Sequence, residues 1–180
     1  MAGYAYRLPR RYRYRGYRRG GNAGPAIAAA ALAGLLAASA ATSRHGAVPW
    51  RAAGAGPAAV QAVAYAEKRI GLPYCWGGTG AGCFDCSGLA MMAWRSAGVA
   101  IARTSQQQWA TERHIPASRA QAGDLVFFAG ADGTMTAPGH VGIVTGPGRM
   151  IEAYGTGYPI RYASYDRPDL VGFTDPRGGA

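Results

Sequence analysis

Lysine is almost missing from this 180-residue chain, because eighteen of its nineteen basic residues are arginine and Lys68 stands alone. Acidic residues number nine, and none falls in the first 44 positions. Three cysteines and three histidines leave a Cys3His set as the available metal site. With no His-x3–5-His pair in the chain, no metal is expected. The glycine-rich stretch 77–82 lacks the Gly-Lys-Ser/Thr ending that cradles phosphates, which disfavours nucleotide binding. No internal repeat is visible, and the chain is too short for two catalytic domains.

The formal net charge of +10 is unevenly placed. Eight arginines lie in residues 1–44, and the remainder sets eleven basic residues against nine acidic ones, a net of only about +2. No interleaved basic and aromatic motif follows, so nucleic acid is not an expected partner. Residues 1–44 read instead as targeting. Arg7, Arg10, Arg11, Arg13, Arg15, Arg18 and Arg19 precede an uncharged, alanine-rich stretch over 21–43. Small residues at Ala38-Ser39-Ala40 and Ala40-Ala41-Thr42 offer cleavage sites for a signal peptide, and Arg10-Arg11 resembles a twin-arginine signal. An uncleaved 21–43 is long enough to serve as a membrane anchor, and a basic tail for anionic partners is the third reading. The protein is expected to be exported, secreted or held at the cell surface, and to touch membrane only through this segment.

Residues 45–56, rich in Ala, Gly and Pro, read as a linker. The domain is expected over 57–180. Pro57 suits a helix start, Val60, Val63, Ala64 and Ile70 fall near one helical face, and Gly71 is the stop. A second helix is expected from about Ser87 to Ala97, ended by Gly98, and Thr104 can cap a short helix through Gln106–Thr111. From Asp124 the texture turns to strands at 125–128, 141–145, 150–154 and 171–173. Helices first and strands after imply an α+β fold with helices packed on an antiparallel sheet.

Asp85-Cys86-Ser87-Gly88 opens the apolar run Leu89–Trp94, and Gly139-His140-Val141-Gly142-Ile143 places His140 54 residues beyond Cys86. A cysteine in the first helical turn faces the positive end of the helix dipole, which favours the thiolate. An imidazole in reach would complete a nucleophile and its base. Three further blocks stand in order around them: Pro73-Tyr74-Cys75-Trp76-Gly77-Gly78-Thr79-Gly80, Arg103-Thr104-Ser105 and Gly123-Asp124-Leu125-Val126-Phe127-Phe128. Together the five blocks resemble the NlpC/P60 family of cell-wall cysteine peptidases, over roughly residues 57–176.

The resemblance implies a small papain-like fold with Cys86 as nucleophile, His140 as base and later acid, and Glu152 at the third polar position. His45 and His114 match no family motif and are expected to be solvated. If Gly146-Pro147-Gly148 is a three-residue hairpin loop, Glu152 lies diagonally from His140 on the same sheet face, whereas an even loop would turn it away. A plain exposed strand glutamate is the other reading. The family also implies Tyr74 as an oxyanion donor, Asp85 and Ser87 as ligands of the stem peptide's free amine, and Arg103 near the cleft. Asp85 serves equally as a helix N-cap. In an oxidising compartment two spare thiols beside a nucleophile are a liability, so Cys75 and Cys83 are expected to form a disulfide that leaves Cys86 free.

The implied activity is a peptidoglycan endopeptidase acting on stem peptides, most typically at the D-γ-glutamyl–diaminopimelate bond, as a monomer without cofactor. An amidase on another wall or poly-γ-glutamyl substrate is one alternative. A catalytically inactive wall-binding protein is another, from a different class.

Overall fold

Pro57 opens the first helix, where its fixed φ and missing N–H cost nothing, and α1 runs Pro57–Glu67. The computed structural model describes residues 55–178, so the targeting segment and all but the end of the linker lie outside the described residues. α1 buries Ala59, Ala62, Val63 and Ala66. Val60 and Ile70, expected on its inner face, are instead 51% and 39% exposed, and Ile70 lies beyond the helix end. The small residues win because the helix approaches its neighbours closely. A Cβ added at Gly123 would stand 2.6 Å from the Ala59 Cβ.

A two-stranded ribbon follows, β1 (Thr79–Gly80) against β2 (Cys83–Phe84). Its first strand and its turn fall in the stretch 77–82 read from sequence as a glycine loop, and its second strand follows directly. Its turn holds Ala81 and Gly82 at φ 54 and 105. Next come α2 (Cys86–Ser96) and α3 (Ser105–Thr111). The Asp85 side chain caps α2, and Thr104 with Gln107 forms a full capping box on α3. The strands β3 (Arg113–Ile115), β4 (Leu125–Phe128), β5 (His140–Gly146), β6 (Arg149–Glu152), β7 (Arg161–Ser164) and β8 (Leu170–Asp175) form one antiparallel sheet. Their spatial order is β3-β8-β4-β5-β6-β7.

Both sheet faces are covered, which explains the unbroken apolar run of β4. Leu125 and Phe127 join Val141, Ile143 and Ile151 against α1 and α2. Val126 and Phe128 turn the other way, to Val144, Met150 and Phe173. The fold is thus α+β, with helices on an antiparallel sheet. Among the described residues no helix is long and apolar enough to cross a membrane.

The β5–β6 hairpin positions the site. Ile143 pairs with Ile151 and Val144 with Met150, after which the ladder slips so that Gly146 pairs with Arg149. The connection is thus the two residues Pro147-Gly148, with Gly148 at φ 70, and not the three-residue loop expected; the bulge at Thr145 supplies the extra residue that restores the odd register. Continuing the upper register sets Glu152 opposite Gly142, diagonal to His140 on one face. Across the other edge of β5, Phe128 pairs directly with His140.

Candidate active site

Cys86 is the first residue of α2 and is partly buried. Asp85 Oδ1 accepts the Gly88 N–H at 2.6 Å, satisfying a backbone donor of the first turn. The loop before the helix lies directly on that turn. Asp85 N–H donates to the Gly78 carbonyl at 3.0 Å, and a Cβ at Gly88 would sit 2.1 Å from the same oxygen. A disulfide joins Cys75 to Cys83 and ties this loop to β2. Cys83-Phe84-Asp85-Cys86 does have Cys-x2-Cys spacing, but its first member is committed to Cys75, leaving Cys86 as the free thiol.

His140 starts β5 and is 8% exposed. The Cys86 Sγ lies 4.0 Å from the carbonyl oxygen of Gly139, the residue before it. His140 Nε2 meets Glu152 Oε2 at 3.0 Å, so Nδ1 is the ring nitrogen left for the sulfur. Phe128 and Tyr154 flank the ring at centroid distances of 5.7 and 5.8 Å. Burial disfavours a charged imidazole here, but its interactions with Cys86 and Glu152 outweigh that and push the pKa up to about 9. At neutral pH the ring is therefore an imidazolium, a cation on the sulfur's side of the cleft.

Glu152 is fully buried. Besides His140, it accepts Arg161 Nε and Nη2 on Oε1, at 3.2 and 3.1 Å, and Arg167 Nη2 on Oε2, at 2.7 Å. Burial alone would raise its pKa, yet the His140 and Arg167 hydrogen bonds hold it below the usual carboxylate range. It is an anion at all neutral pH values, so it orients the imidazole without taking its proton.

An open cleft of about 660 Å³ exposes this chemistry, with Tyr74, Cys86 and His140 in its lining. The Tyr74 hydroxyl is pushed up to about 12 by burial and by the negative groups Cys86, Asp85 and Asp132. It remains a proton donor throughout the working range. Asp85, Ser87 and Arg103 form a separate cluster and do not line the cleft: Arg103 Nη1 donates to Asp85 Oδ1 and to Ser87 Oγ, both at 3.0 Å. Asp85 thus serves as N-cap and as partner of Arg103. His114 is exposed but not loosely solvated, since it stacks on Trp109 and its Nε2 meets the Trp109 carbonyl at 2.8 Å. His45 lies outside the described residues.

Sequence reasoning missed Arg161 and Arg167, together with the cleft residues Trp76, Asp132, Tyr154 and Asp169. The available signal was the β7 register, because Glu152 pairs with Arg161 once β6 and β7 are aligned.

Residues 71–170 match the sequence model of the NlpC/P60 family. The chain is 42% identical over 113 residues to a probable endopeptidase p60 of Listeria monocytogenes, covering 62% of this chain and 22% of that protein. It is 42% identical over 115 residues to the bifunctional muramidase/DL-endopeptidase CwlT of Bacillus subtilis, covering 60% of this chain and 33% of the relative. The chain therefore spans about a fifth to a third of the length of these curated relatives. The solved structure of the peptidoglycan hydrolase RipB of Mycobacterium tuberculosis superposes with a TM-score of 0.58 at 30% identity, covering 66% of this chain and 64% of that one. With the family model spanning more than half of its length and related folds superposing on its domain, this chain belongs to the NlpC/P60 family.

Proposed function

We propose that the chain is an exported cysteine peptidase that hydrolyses an amide bond of peptidoglycan stem peptides, at the D-γ-glutamyl–diaminopimelate linkage. One observation carries the reading: the free cysteine opens α2 in the same cleft as an imidazole bonded to a fully buried carboxylate. The names of its relatives, an endopeptidase, a DL-endopeptidase and a peptidoglycan hydrolase, supply the substrate class.

In the proposed reaction the Cys86 thiolate attacks the scissile carbonyl. The resulting oxyanion receives hydrogen bonds from the Tyr74 hydroxyl and the Cys86 backbone N–H. His140 then protonates the departing amine, leaving a thioester on Cys86. The now neutral imidazole takes a proton from water, whose attack releases the γ-glutamyl carboxylate and regenerates the thiolate. Glu152 holds the ring through both steps. Asp85 and Ser87 would meet the substrate's free amine on the acyl side. Because both Asp85 oxygens already engage Arg103, that amine would bind in competition with the guanidinium.

Zymography on whole cell walls tests the class of activity. The wild-type domain should clear the wall, and a folded Cys86→Ala variant should not. Clearing by that variant would remove Cys86 from the mechanism.

A further inference from the structure

Four donors converge on the Glu152 carboxylate, and its two oxygens are used differently. Oε1 accepts Arg161 Nε and Nη2, whereas Oε2 accepts both His140 Nε2, at 3.0 Å, and Arg167 Nη2, at 2.7 Å. The oxygen that orients the imidazole is therefore also held by a guanidinium, and by the shorter bond. At neutral pH two cations thus meet on one oxygen of a fully buried side chain. Stability alone does not call for this arrangement. A buried carboxylate needs a cation, and Arg161 supplies one through two bonds to Oε1. A second cation on the imidazole's own oxygen adds repulsion with the imidazolium.

Arg167 is fixed in this place from two further sides. Its Nε donates to the Ser164 carbonyl at 3.2 Å, which anchors the fork to the end of β7 while Nη2 holds the carboxylate. Its guanidinium lies 4.9 Å from the centre of the Phe128 ring and 5.5 Å from that of Tyr154. Those are the two rings that flank His140. Arg161 also lies against Tyr154, at 5.1 Å. Imidazole, carboxylate and both guanidinia thus share one aromatic frame, in which a shift of one displaces the others.

The charged groups around the ring pull in opposite directions. Cys86 from α2 and Glu152 from β6 favour the imidazolium, and Arg161 from β7 and Arg167 just beyond it oppose it. Asp169, whose Oδ2 accepts the Gly130 N–H, and Asp132, which bears on Tyr74, line the same cleft. Left unopposed, Cys86 and Glu152 would hold the ring's proton too firmly for both halves of the reaction. The ring must release that proton to the departing amine, and must then be neutral to take one from water. Resting on the hydrolase reading above, we propose that Arg167, with Arg161 on the other oxygen, is a positioning residue: it holds the Glu152 carboxylate against the ring and limits how firmly His140 keeps its proton.

The test titrates the His140 ring by NMR in the wild type, Arg167→Gln, Arg167→Lys and Arg161→Gln, beside the pH profiles of kcat and kcat/KM on a diaminopimelate stem peptide. Removing the Arg167 charge should raise the ring's titration, and the alkaline limb of kcat/KM with it, by about one pH unit. This is opposite in sign to the loss of the carboxylate charge. A shift of one unit leaves about a tenth as much neutral imidazole, so kcat near pH 7 should fall by up to about tenfold where hydrolysis of the thioester limits. Arg161→Gln should move the titration the same way by less, because that side chain is 38% exposed against 21% for Arg167 and is better screened. Arg167→Lys keeps the charge and should titrate close to the wild type. A residue that only braces the fold would lower Tm or activity and leave every titration in place. An unmoved or lowered titration in Arg167→Gln, or an equal rise in Arg167→Lys, would overturn the proposal alone; if Arg167→Gln does not fold, Arg161→Gln decides by the same criterion. A wild-type protein that cleaves no stem peptide would overturn the hydrolase reading and the proposal with it.

Discussion

Replacing Glu152 with Gln removes one negative charge while keeping nearly the same volume, and its consequences follow from the contacts. The amide oxygen can still accept from His140 Nε2, but the NH2 then turns toward Arg161, which also donates. Without the carboxylate charge, burial weighs more heavily against the imidazolium. The alkaline limb of kcat/KM, expected near 9 in the wild type, should move down by roughly one pH unit or more. Stability should report the same charge. A His140 pKa raised from 6.5 to about 9 contributes stability that is full below pH 6.5 and is lost as pH rises through about 9. The contribution is on the order of 3 kcal/mol, since a tenfold change in proton affinity is worth about 1.4 kcal/mol. Urea unfolding at pH 6.5, 8 and 10 should show this decline in the wild type and a clearly smaller one in Glu152→Gln. Coincident alkaline limbs and parallel stability profiles would refute the role given to the carboxylate. Glu152→Ala should fare worse than Gln, because it removes the acceptor shared by Arg161, Arg167 and the ring. Breaking such a buried pair costs roughly 3 kcal/mol, with Arg161 partly free to turn to water.

A Cys75→Ser/Cys83→Ser variant opens a ring whose ends are 8 residues apart. Loop entropy puts the loss at about 2–3 kcal/mol, read as a lower Tm and, since this loop enters α2, as reduced activity; an unchanged Tm would contradict it. Gly88→Ala would drive a Cβ into the Gly78 carbonyl, which is backbone and cannot swing aside. The loop should lift from α2 at a cost of about 1–3 kcal/mol, with kcat/KM falling alongside; a fully active, equally stable variant would show that this close approach is dispensable.

Much of the site was legible because its chemistry is local in sequence. Asp85-Cys86-Ser87-Gly88 carries its own N-cap, whereas Glu152 reaches the His140 face because a bulge at Thr145 offsets the two-residue turn Pro147-Gly148, and the sequence did not show that bulge. What escaped was whatever depended on another element's register. Arg161 and Arg167 read as ordinary surface arginines until β7 is laid beside β6, and β7 itself alternates weakly, as an edge strand does. β1, β2 and β3 are only two or three residues long, too short to show a period. The misplaced face of α1 has a different cause. Hydrophobicity favours Val60, but a helix pressed against Gly123 selects alanine, which is only weakly apolar.

The central claim, that Cys86 cuts one stem-peptide amide through an acyl-enzyme, is tested most directly by mass spectrometry. The purified domain is mixed with a soluble diaminopimelate stem peptide, and both the products and the intact protein are weighed. The expected result is a fragment ending in γ-glutamate, a fragment with a new diaminopimelate amine, and on rapid acid quench a protein adduct mapping to Cys86. Neither fragment nor adduct should form with Cys86→Ala. Fragments from that variant, cleavage at a different bond, or an adduct on another residue would contradict the claim.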